Sequence, residues 1–184
     1  MSVLARPCMR ADEFIAWASQ RPDGERFELV AGELVPMSPE RSGHALVKAR
    51  IWRALDDAVR AAGLTCATYP DGMAVEIDDR TVYEPDASVR CGSPLDDDAV
   101  KIMDPLIVVE VLSPLSQARD AGAKLADYVR LPSLRHYVLA DTKTRTIVQH
   151  RIGPDGRIDT LVLRGGELEL DPPGIGIRIS ELFV

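Results

Sequence analysis

Apolar residues recur at helical spacing in three segments of the chain. The clearest segment runs from Ser42 to Ala62, where apolar residues return every third or fourth position and Gly63 follows as a stop signal. Its apolar positions are Val47, Ile51, Ala54, Leu55, Ala58 and Ala62. The same spacing predicts a short helix over residues 11–21 and a third helix over residues 116–130.

Strand-like segments fill most of the remaining chain. Residues 26–30 and 33–37 flank Ala31-Gly32, a pattern typical of a β-hairpin. Residues 105–112 form a short apolar run rich in β-branched side chains, which favours a strand buried on both faces. Further strands are predicted at residues 65–69, 73–77, 87–90, 136–140, 146–151, 157–163 and 167–170. This order of helices and strands predicts one α/β domain over residues 1–184.

Composition narrows the class of protein. The 184 residues suffice for one domain, and 46% hydrophobic with 28% charged residues is typical of a globular protein. No apolar run reaches the roughly 18 residues of a membrane span, and the first ten residues do not resemble a secretory signal. Because Cys8, Cys66 and Cys91 are far apart and odd in number, we expect neither a disulfide framework nor a zinc site. We therefore expect a soluble, cytoplasmic protein without a membrane partner.

The charge balance argues at first against a nucleic-acid partner. With 22 basic and 29 acidic residues the net charge is −7, whereas proteins that bind nucleic acid usually carry a basic surface. The charge is unevenly distributed, because residues 86–110 carry six acids and two bases (−4) and residues 115–164 carry nine bases and five acids (+4). An acidic segment can bind a cation, which reverses the local charge. Net charge alone therefore excludes no nucleic-acid function.

Glu110 is the least expected residue in the sequence. It interrupts the most hydrophobic predicted strand, where an unpaired carboxylate would cost on the order of several kcal/mol. Such a group must be protonated, paired with a cation or bound to a metal. A structural salt bridge or hydrogen bond explains Glu110 as well as a catalytic role does.

Asp86 is a second carboxylate in a matching position. It follows Glu84-Pro85 at the start of a predicted strand, and the 23 residues between Asp86 and Glu110 allow two adjacent strands with the carboxylates side by side. Mg²⁺ is usually held by one or two carboxylates and water, and the bound ion activates water and stabilises phosphodiester oxyanions. Lys124, on the next helix, is a candidate for orienting that water or neutralising developing charge.

Several segments, weak singly and more specific in their order, carry a family resemblance. They are residues 27–34 (FELVAGEL), His44, Glu84-Pro85-Asp86, residues 109–114 (VEVLSP), Arg119-Asp120, Lys124, residues 135–141 (RHYVLAD) and residues 179–183 (ISELF). Together they resemble the Uma-two family (Uma2) of restriction endonucleases, within the PD-(D/E)XK nuclease superfamily. The resemblance implies an α+β, restriction-endonuclease-like core with a central mixed β-sheet flanked by helices and an N-terminal hairpin. It also implies that Asp86 and Glu110 hold a metal and that Glu28 supplies a further acid.

One position departs from the superfamily pattern. The pattern places a lysine two residues after the glutamate, where this chain has Leu112. The resemblance implies that Lys124 replaces the missing lysine from the following helix. The simpler interpretation of Lys124 is a solvated ion pair with Asp120, four residues earlier on the same helix.

Other polar residues are weaker candidates. His44 either faces the site or lies at the helix N-terminus with a structural role, and Asp120 and Glu33 are possible accessory residues. Glu33 is expected to be exposed on a strand. Tyr128 and Tyr137 are expected to pack in the interior with their hydroxyls near the surface.

The leading hypothesis is an endonuclease dependent on Mg²⁺ or Mn²⁺ that hydrolyses phosphodiester bonds of nucleic acid, with DNA as the favoured substrate class, and that acts as a homodimer. The resemblance and the symmetry of duplex substrates support the dimer. Two alternatives remain open. One is a catalytically inactive nuclease fold used for binding or dimerisation, supported by Leu112 and the negative net charge. The other is a metal-dependent hydrolase of a small phosphate compound, which would use the same carboxylates.

Overall fold

The computed structural model describes residues 8–22, 25–112 and 119–183, without the side chains of residues 119–121. The helices of this part are α1 (Ala11–Ala18), α2 (Ser42–Ala61) and α3 (Arg119–Tyr128), followed by a short 3-10 helix (Ile179–Glu181). The strands are β1 (Phe27–Val30), β2 (Glu33–Pro36), β3 (Cys66–Pro70), β4 (Ala74–Asp78), β5 (Thr81–Tyr83), β6 (Ala87–Cys91), β7 (Lys101–Ile102), β8 (Ile107–Leu112), β9 (His136–Asp141), β10 (Thr146–Ile152), β11 (Ile158–Leu163), β12 (Glu167–Leu170) and β13 (Ile175–Arg178). No helix among the described residues is long and apolar enough to cross a membrane.

The strands form three sheets. The largest has the order β11-β10-β9-β8-β6-β3, in which only the β8–β9 pair is parallel, so it is a mixed sheet as predicted. The predicted N-terminal hairpin is β1–β2, which lies at the edge of a five-stranded sheet with the order β2-β1-β5-β4-β7. The strands β12 and β13 form a small antiparallel pair.

Helix α2 covers one face of the six-stranded sheet. Its apolar positions Val47, Ile51 and Leu55 are buried in a cluster that also contains Ile107 of β8. Fully burying one such aliphatic side chain contributes roughly 1.5–3 kcal/mol, which explains why the predicted helix forms where its apolar stripe lies. The predicted stop is also present, because Gly63 follows the helix with φ +63°, a backbone conformation that glycine adopts without strain.

Strand β8 is buried on both faces, as its sequence predicted. Ile107, Val109 and Val111 lie in the cluster beneath α2, whereas Val108 lies in a second cluster on the opposite face of the sheet. Successive side chains of a strand alternate between faces, so Glu110 shares its face with Val108. That alternation turns the carboxylate away from α2 and toward the second cluster.

The structure corrects the expectation for the cysteines. Cys66 and Cys91 are disulfide-bonded, and Cys8 is free and exposed. The two bonded residues lie directly opposite each other on the antiparallel strands β3 and β6. The two cysteines are far apart in sequence, and only the register of the strands brings them together. The expectation of no disulfide was therefore wrong.

Three short strands were not predicted from the sequence. They are β5, β7 and β13, with three, two and four residues respectively. Segments this short carry too few alternations for a period to appear, and each is defined by its hydrogen-bonded neighbour. Helix α3 begins at Arg119 within the described residues, so its predicted start at residue 116 lies outside them.

Candidate active site

The structure brings Asp86 and Glu110 together. Strands β6 and β8 are antiparallel with Ala87 opposite Val109, and the Asp86 amide donates a hydrogen bond to the Val109 carbonyl at 3.0 Å. Continued by one residue, this register sets Asp86 opposite Glu110. The Asp86 carboxylate is buried and accepts a hydrogen bond from the Val111 amide at 2.6 Å. The two carboxylates therefore come from neighbouring strands, as the sequence predicted.

Lys124 joins Glu110 to a third carboxylate. Its Nζ lies 3.0 Å from Glu110 Oε1 and 2.8 Å from Glu28 Oε1. Glu28 comes from β1 in the other large sheet and also accepts a hydrogen bond from the Glu84 amide at 3.2 Å. Together with Asp86, these residues line one cavity of about 870 Å³. All four residues predicted for the centre of the site therefore lie in one place.

Burial controls the charges of this cluster. Burial raises the pKa of Glu110 to about 7, with the Lys124 ammonium opposing the shift and the carboxylates of Asp86 and Glu28 adding to it. Burial alone would lower the pKa of Lys124, but the carboxylates of Glu110 and Glu28 raise it above its ordinary value. Lys124 is therefore a charged donor, and Glu110 is a carboxylate that gains from any additional nearby cation.

Two tyrosines pack behind Glu110, and their placement corrects a prediction. Tyr128 and Tyr137 are completely buried with ring centroids 5.2 Å apart, so their hydroxyls are not near the surface. The Tyr128 hydroxyl donates a hydrogen bond to Glu110 Oε1 at 3.2 Å, whereas the Tyr137 hydroxyl finds no partner among the described residues. The polar group at Glu110 explains why a tyrosine rather than a phenylalanine stands at residue 128.

Sequence reasoning missed Lys48. This α2 residue is 5% exposed, and its Nζ lies 2.9 Å from Asp86 Oδ1 and 2.8 Å from Asp71 Oδ2, with Glu40 as a further partner. Burial alone would lower the pKa of Lys48, but the surrounding carboxylates, Asp86 foremost, raise it. Lys48 lies three residues before Ile51 on the apolar side of the helix, but this position is a weak signal, because a lysine there usually extends its ammonium to water.

The accessory candidates have different outcomes. His44 lines the cavity, and its Nε2 donates a hydrogen bond to the Val111 carbonyl at 2.6 Å, which holds the start of α2 against the end of β8. Glu33 is exposed on β2, as expected, and is not among the residues that line the cavity. Asp120 belongs to α3, but its side chain lies outside the described part of the chain, so its expected pairing with Lys124 stays a prediction.

The side chains of the site suit a divalent cation that takes only one or two ligands from the protein. Within residues 8–22, 25–112 and 119–183, no group of three or more His, Cys, Asp or Glu side chains forms a ready metal site. Mg²⁺ nevertheless needs only one or two carboxylates in proteins, because water and substrate phosphates complete its octahedral shell. Asp86 and Glu110 offer one buried and one partly buried carboxylate on adjacent strands, and each is paired with a lysine ammonium. A cation-binding role is chemically consistent with this arrangement.

Comparison with known proteins now identifies the family. A family model described as "Putative restriction endonuclease", Uma2, matches residues 11–180. The chain belongs to the Uma2 family. An uncharacterized protein of Synechocystis sp., slr1290, is 26% identical over 182 residues, which cover 96% of this chain and 92% of that protein. The Uma2 resemblance inferred from the short segments is thereby confirmed.

A solved structure supports the fold of this Uma2 protein. It is a crystal structure from Anabaena variabilis, described as a putative nuclease belonging to DUF820, and matches with a TM-score of 0.74. The match covers 95% of this chain and 97% of the other at 17% sequence identity. At that identity the likeness establishes the fold alone. The predicted α+β fold is confirmed.

Proposed function

We propose that this Uma2 protein is a metal-dependent nuclease that hydrolyses phosphodiester bonds of nucleic acid, with DNA as its main substrate. One observation carries the proposal. Two carboxylates, buried Asp86 and partly buried Glu110, lie opposite each other on adjacent strands, and the Lys124 ammonium contacts Glu110 at 3.0 Å. Two carboxylates and a lysine are sufficient to hold a hard cation and to position a water molecule beside it.

Each residue has a separate role in the proposed site. Asp86 and Glu110 would hold Mg²⁺ or Mn²⁺, which lowers the pKa of a bound water and neutralises charge on the phosphate. Lys124 is charged and would donate a hydrogen bond to the attacking water or to a phosphate oxygen. Glu28 would keep the ammonium in place, because it accepts from Lys124 Nζ at 2.8 Å. Lys124 would thus act in place of the lysine missing at Leu112.

The distribution of charge supports a polyanionic partner. The excess of bases over acids in residues 115–164 (+4) would attract a polyanion, and β9, β10 and α3 belong to this segment. A homodimer would match the two-fold symmetry of duplex DNA. Light scattering on the purified protein tests this assembly, and a monomer at working concentration would exclude it.

Calorimetric titration with Mn²⁺ tests the metal site. The chelator-stripped parent, Asp86→Ala, Glu110→Ala and the control Asp57→Ala would be compared, because Asp57 is an exposed acid of α2 that pairs with Arg53. Binding by the parent and control, with loss in the two site variants, supports the assignment. Equal binding by all four proteins would place the metal elsewhere and overturn it.

Cleavage assays separate the proposed function from its two alternatives. Plasmid DNA, single-stranded DNA, RNA and nucleotides would be incubated with the parent and with Glu110→Ala in Mn²⁺. Hydrolysis of DNA by the parent alone supports the nuclease. Hydrolysis of nucleotides alone would favour the small-phosphate hydrolase. Nucleic-acid binding without hydrolysis would favour the inactive module, for which the two lysines that already neutralise the carboxylates are the best structural argument.

A further inference from the structure

Three arginines line the cavity, and two of them, Arg41 and Arg145, make no contact with the carboxylate cluster, whereas Arg50 has a partner. Arg41 immediately precedes α2, and Arg145 lies in the turn between β9 and β10. Both segments meet the end of β8. His44, three residues after Arg41, is hydrogen-bonded to the Val111 carbonyl, and the Thr142 hydroxyl donates to the Leu112 carbonyl at 3.3 Å. The two arginines therefore belong to the part of the cavity just beyond Glu110.

Their lack of partners distinguishes these arginines from the other cations of the site. Lys48, Lys124 and Arg26 are each paired with two or more carboxylates. Neither Arg41 nor Arg145 has a side-chain hydrogen bond or ion pair within the described part of the chain, and both are exposed. An unpaired guanidinium keeps its donors available for an anion from solution.

The charge of the cavity makes such donors necessary for a polyanionic substrate. Five acids line it, and they are Glu28, Glu40, Glu84, Asp86 and Glu110. A phosphate group approaching this surface is repelled unless cations contact it directly, because Coulomb repulsion at a few ångströms is strong where water is partly excluded. The paired lysines are already neutralised by these acids, so the remaining attraction must come from unpaired cations.

The backbone at Arg145 adds a further observation. Arg145 has φ +52°, a left-handed conformation that non-glycine residues seldom adopt and that asparagine or glycine adopts at lower cost. The turn is held by the Asp141 carboxylate, which accepts hydrogen bonds from the amides of Lys143 and Thr144. The sequence thus keeps an arginine at a position where the backbone favours a different residue.

We infer that Arg41 and Arg145 form a phosphate-binding site that holds the backbone of a polynucleotide strand across the carboxylate cluster. This inference rests on the proposed nuclease function and assigns its substrate contacts. Guanidinium groups suit the task, because their donors match two oxygens of one phosphate. The contacts are to the backbone, so they hold the strand without selecting a base sequence.

Binding of a fluorescently labelled DNA duplex, measured by anisotropy over a series of salt concentrations, tests the inference. Chelator, or Ca²⁺ in place of Mn²⁺, keeps the DNA intact. The variants are Arg41→Gln, Arg145→Asn and Arg145→Lys. The control is Arg157→Gln, because Arg157 is exposed, lies outside the cavity and carries the same charge. Asparagine at residue 145 suits the left-handed backbone, so its thermal midpoint should equal or exceed that of the parent.

Arg41→Gln and Arg145→Asn should each raise the dissociation constant roughly tenfold and reduce the salt slope by about 0.9, as expected for one lost phosphate contact. Arg145→Lys should keep the parental slope, because it keeps the charge. If both neutral variants bind like Arg157→Gln while the parent still cleaves DNA, this inference is wrong and the nuclease proposal stands. If the parent neither binds nor cleaves nucleic acid, both are overturned.

Discussion

Two lysines, buried Lys48 and partly buried Lys124, pair with carboxylates of the same two strands, but the two clusters are stabilised differently. Lys124 contacts Glu110 and Glu28, and burial still raises the pKa of Glu110 to about 7. Lys48 contacts Asp86 and Asp71, and there burial is overcome, because Lys48 and Arg26 lower the pKa of Asp71. Glu110 in the Lys124 cluster is therefore less well stabilised as a carboxylate than Asp71 in the Lys48 cluster.

The difference separates a chemical role from an architectural one. A carboxylate that its neighbours do not fully stabilise gains from an added cation, which is the property that a metal ligand needs. The Lys48 cluster instead ties α2 to the turn after β3 and to the start of β6, through Asp71 and Asp86. We expect the loss of Glu110 or Lys124 to affect activity most and the loss of Lys48 to affect stability most, while Asp86 belongs both to the Lys48 cluster and to the proposed metal site.

The largest effect is expected from Glu110→Gln. The amide keeps the shape of the side chain but removes its charge, so cleavage should fall at least about a hundredfold while the protein remains folded. Cleavage rates in Mn²⁺ and circular dichroism measure the two quantities. The matched control is Asp57→Asn, an exposed acid of α2. A folded Glu110→Gln protein with parental cleavage would remove Glu110 from the site and with it the contrast between the clusters.

Exchanging each lysine for methionine should affect the two clusters differently. The free energy of unfolding should fall more for Lys48→Met, and the cleavage rate should fall more for Lys124→Met. Lys48→Met leaves buried Asp86 without its cation, which should lower the free energy of unfolding by about 3 kcal/mol. Lys124→Met should lower it less, by about 1–2 kcal/mol, but reduce cleavage at least about a hundredfold. Urea denaturation and cleavage rates, normalised to folded protein, measure both effects.

Lys101→Met is the control for the lysine variants. Lys101 forms a more exposed pair with Glu76, so its loss should change the free energy of unfolding by less than about 1 kcal/mol. The architectural interpretation of Lys48 fails if Lys48→Met unfolds at the same urea concentration as Lys101→Met. The chemical interpretation of Lys124 fails if the folded Lys124→Met protein cleaves at the parental rate.

A lysine introduced at residue 112 tests whether Lys124 replaces the missing lysine. Leu112 occupies the position where the superfamily pattern has lysine, and it lines the cavity beside Glu110. In a Lys124→Met background, Leu112→Lys should therefore regain roughly tenfold of the lost cleavage, because one ammonium can partly substitute for another. Leu112→Met in the same background is the control for packing. Equal rates for these two double variants would argue that Lys124 does not replace the missing lysine.

The sequence predicts the Lys124 cluster better than the Lys48 cluster, for physical reasons. Glu110 can be recognised from the sequence, because a charged residue within a β-branched run conflicts with its apolar surroundings. The proximity of Asp86 then follows from the pairing of adjacent strands. Lys48 does not stand out, because a lysine beside an apolar helix stripe usually extends its ammonium to water. Its three carboxylate partners come from separate segments, and only the folded chain brings them together.

The fold, like the site, is predictable only where a local sequence pattern specifies it. Helix α2 and strand β8 carry enough residues for a period to appear, so their positions and their buried faces were predictable. The disulfide between Cys66 and Cys91 depends on the register of β3 against β6, which no local pattern specifies. Local periodicity therefore predicts elements, while contacts between distant elements require the register and packing of the whole sheet.

The smallest effect concerns the two tyrosines behind Glu110, which are matched in burial and differ in hydrogen bonding. Tyr128→Phe removes the hydroxyl that donates to Glu110 Oε1, so it should reduce cleavage several-fold and lower the free energy of unfolding by about 1 kcal/mol. Tyr137→Phe removes a hydroxyl with no partner among the described residues, so stability should be unchanged or higher.

Cleavage rates and urea midpoints of these two variants would show whether the orientation of Glu110 matters beyond its charge. If Tyr128→Phe and Tyr137→Phe behave alike, the hydroxyl at residue 128 does not position the carboxylate, and the two rings serve only packing. If only Tyr128→Phe loses activity, the raised pKa of Glu110 is accompanied by a fixed geometry. Charge and geometry are both required of a carboxylate that holds a metal, whereas the pair formed by Lys48 and Asp71 needs only charge balance to stabilise the fold.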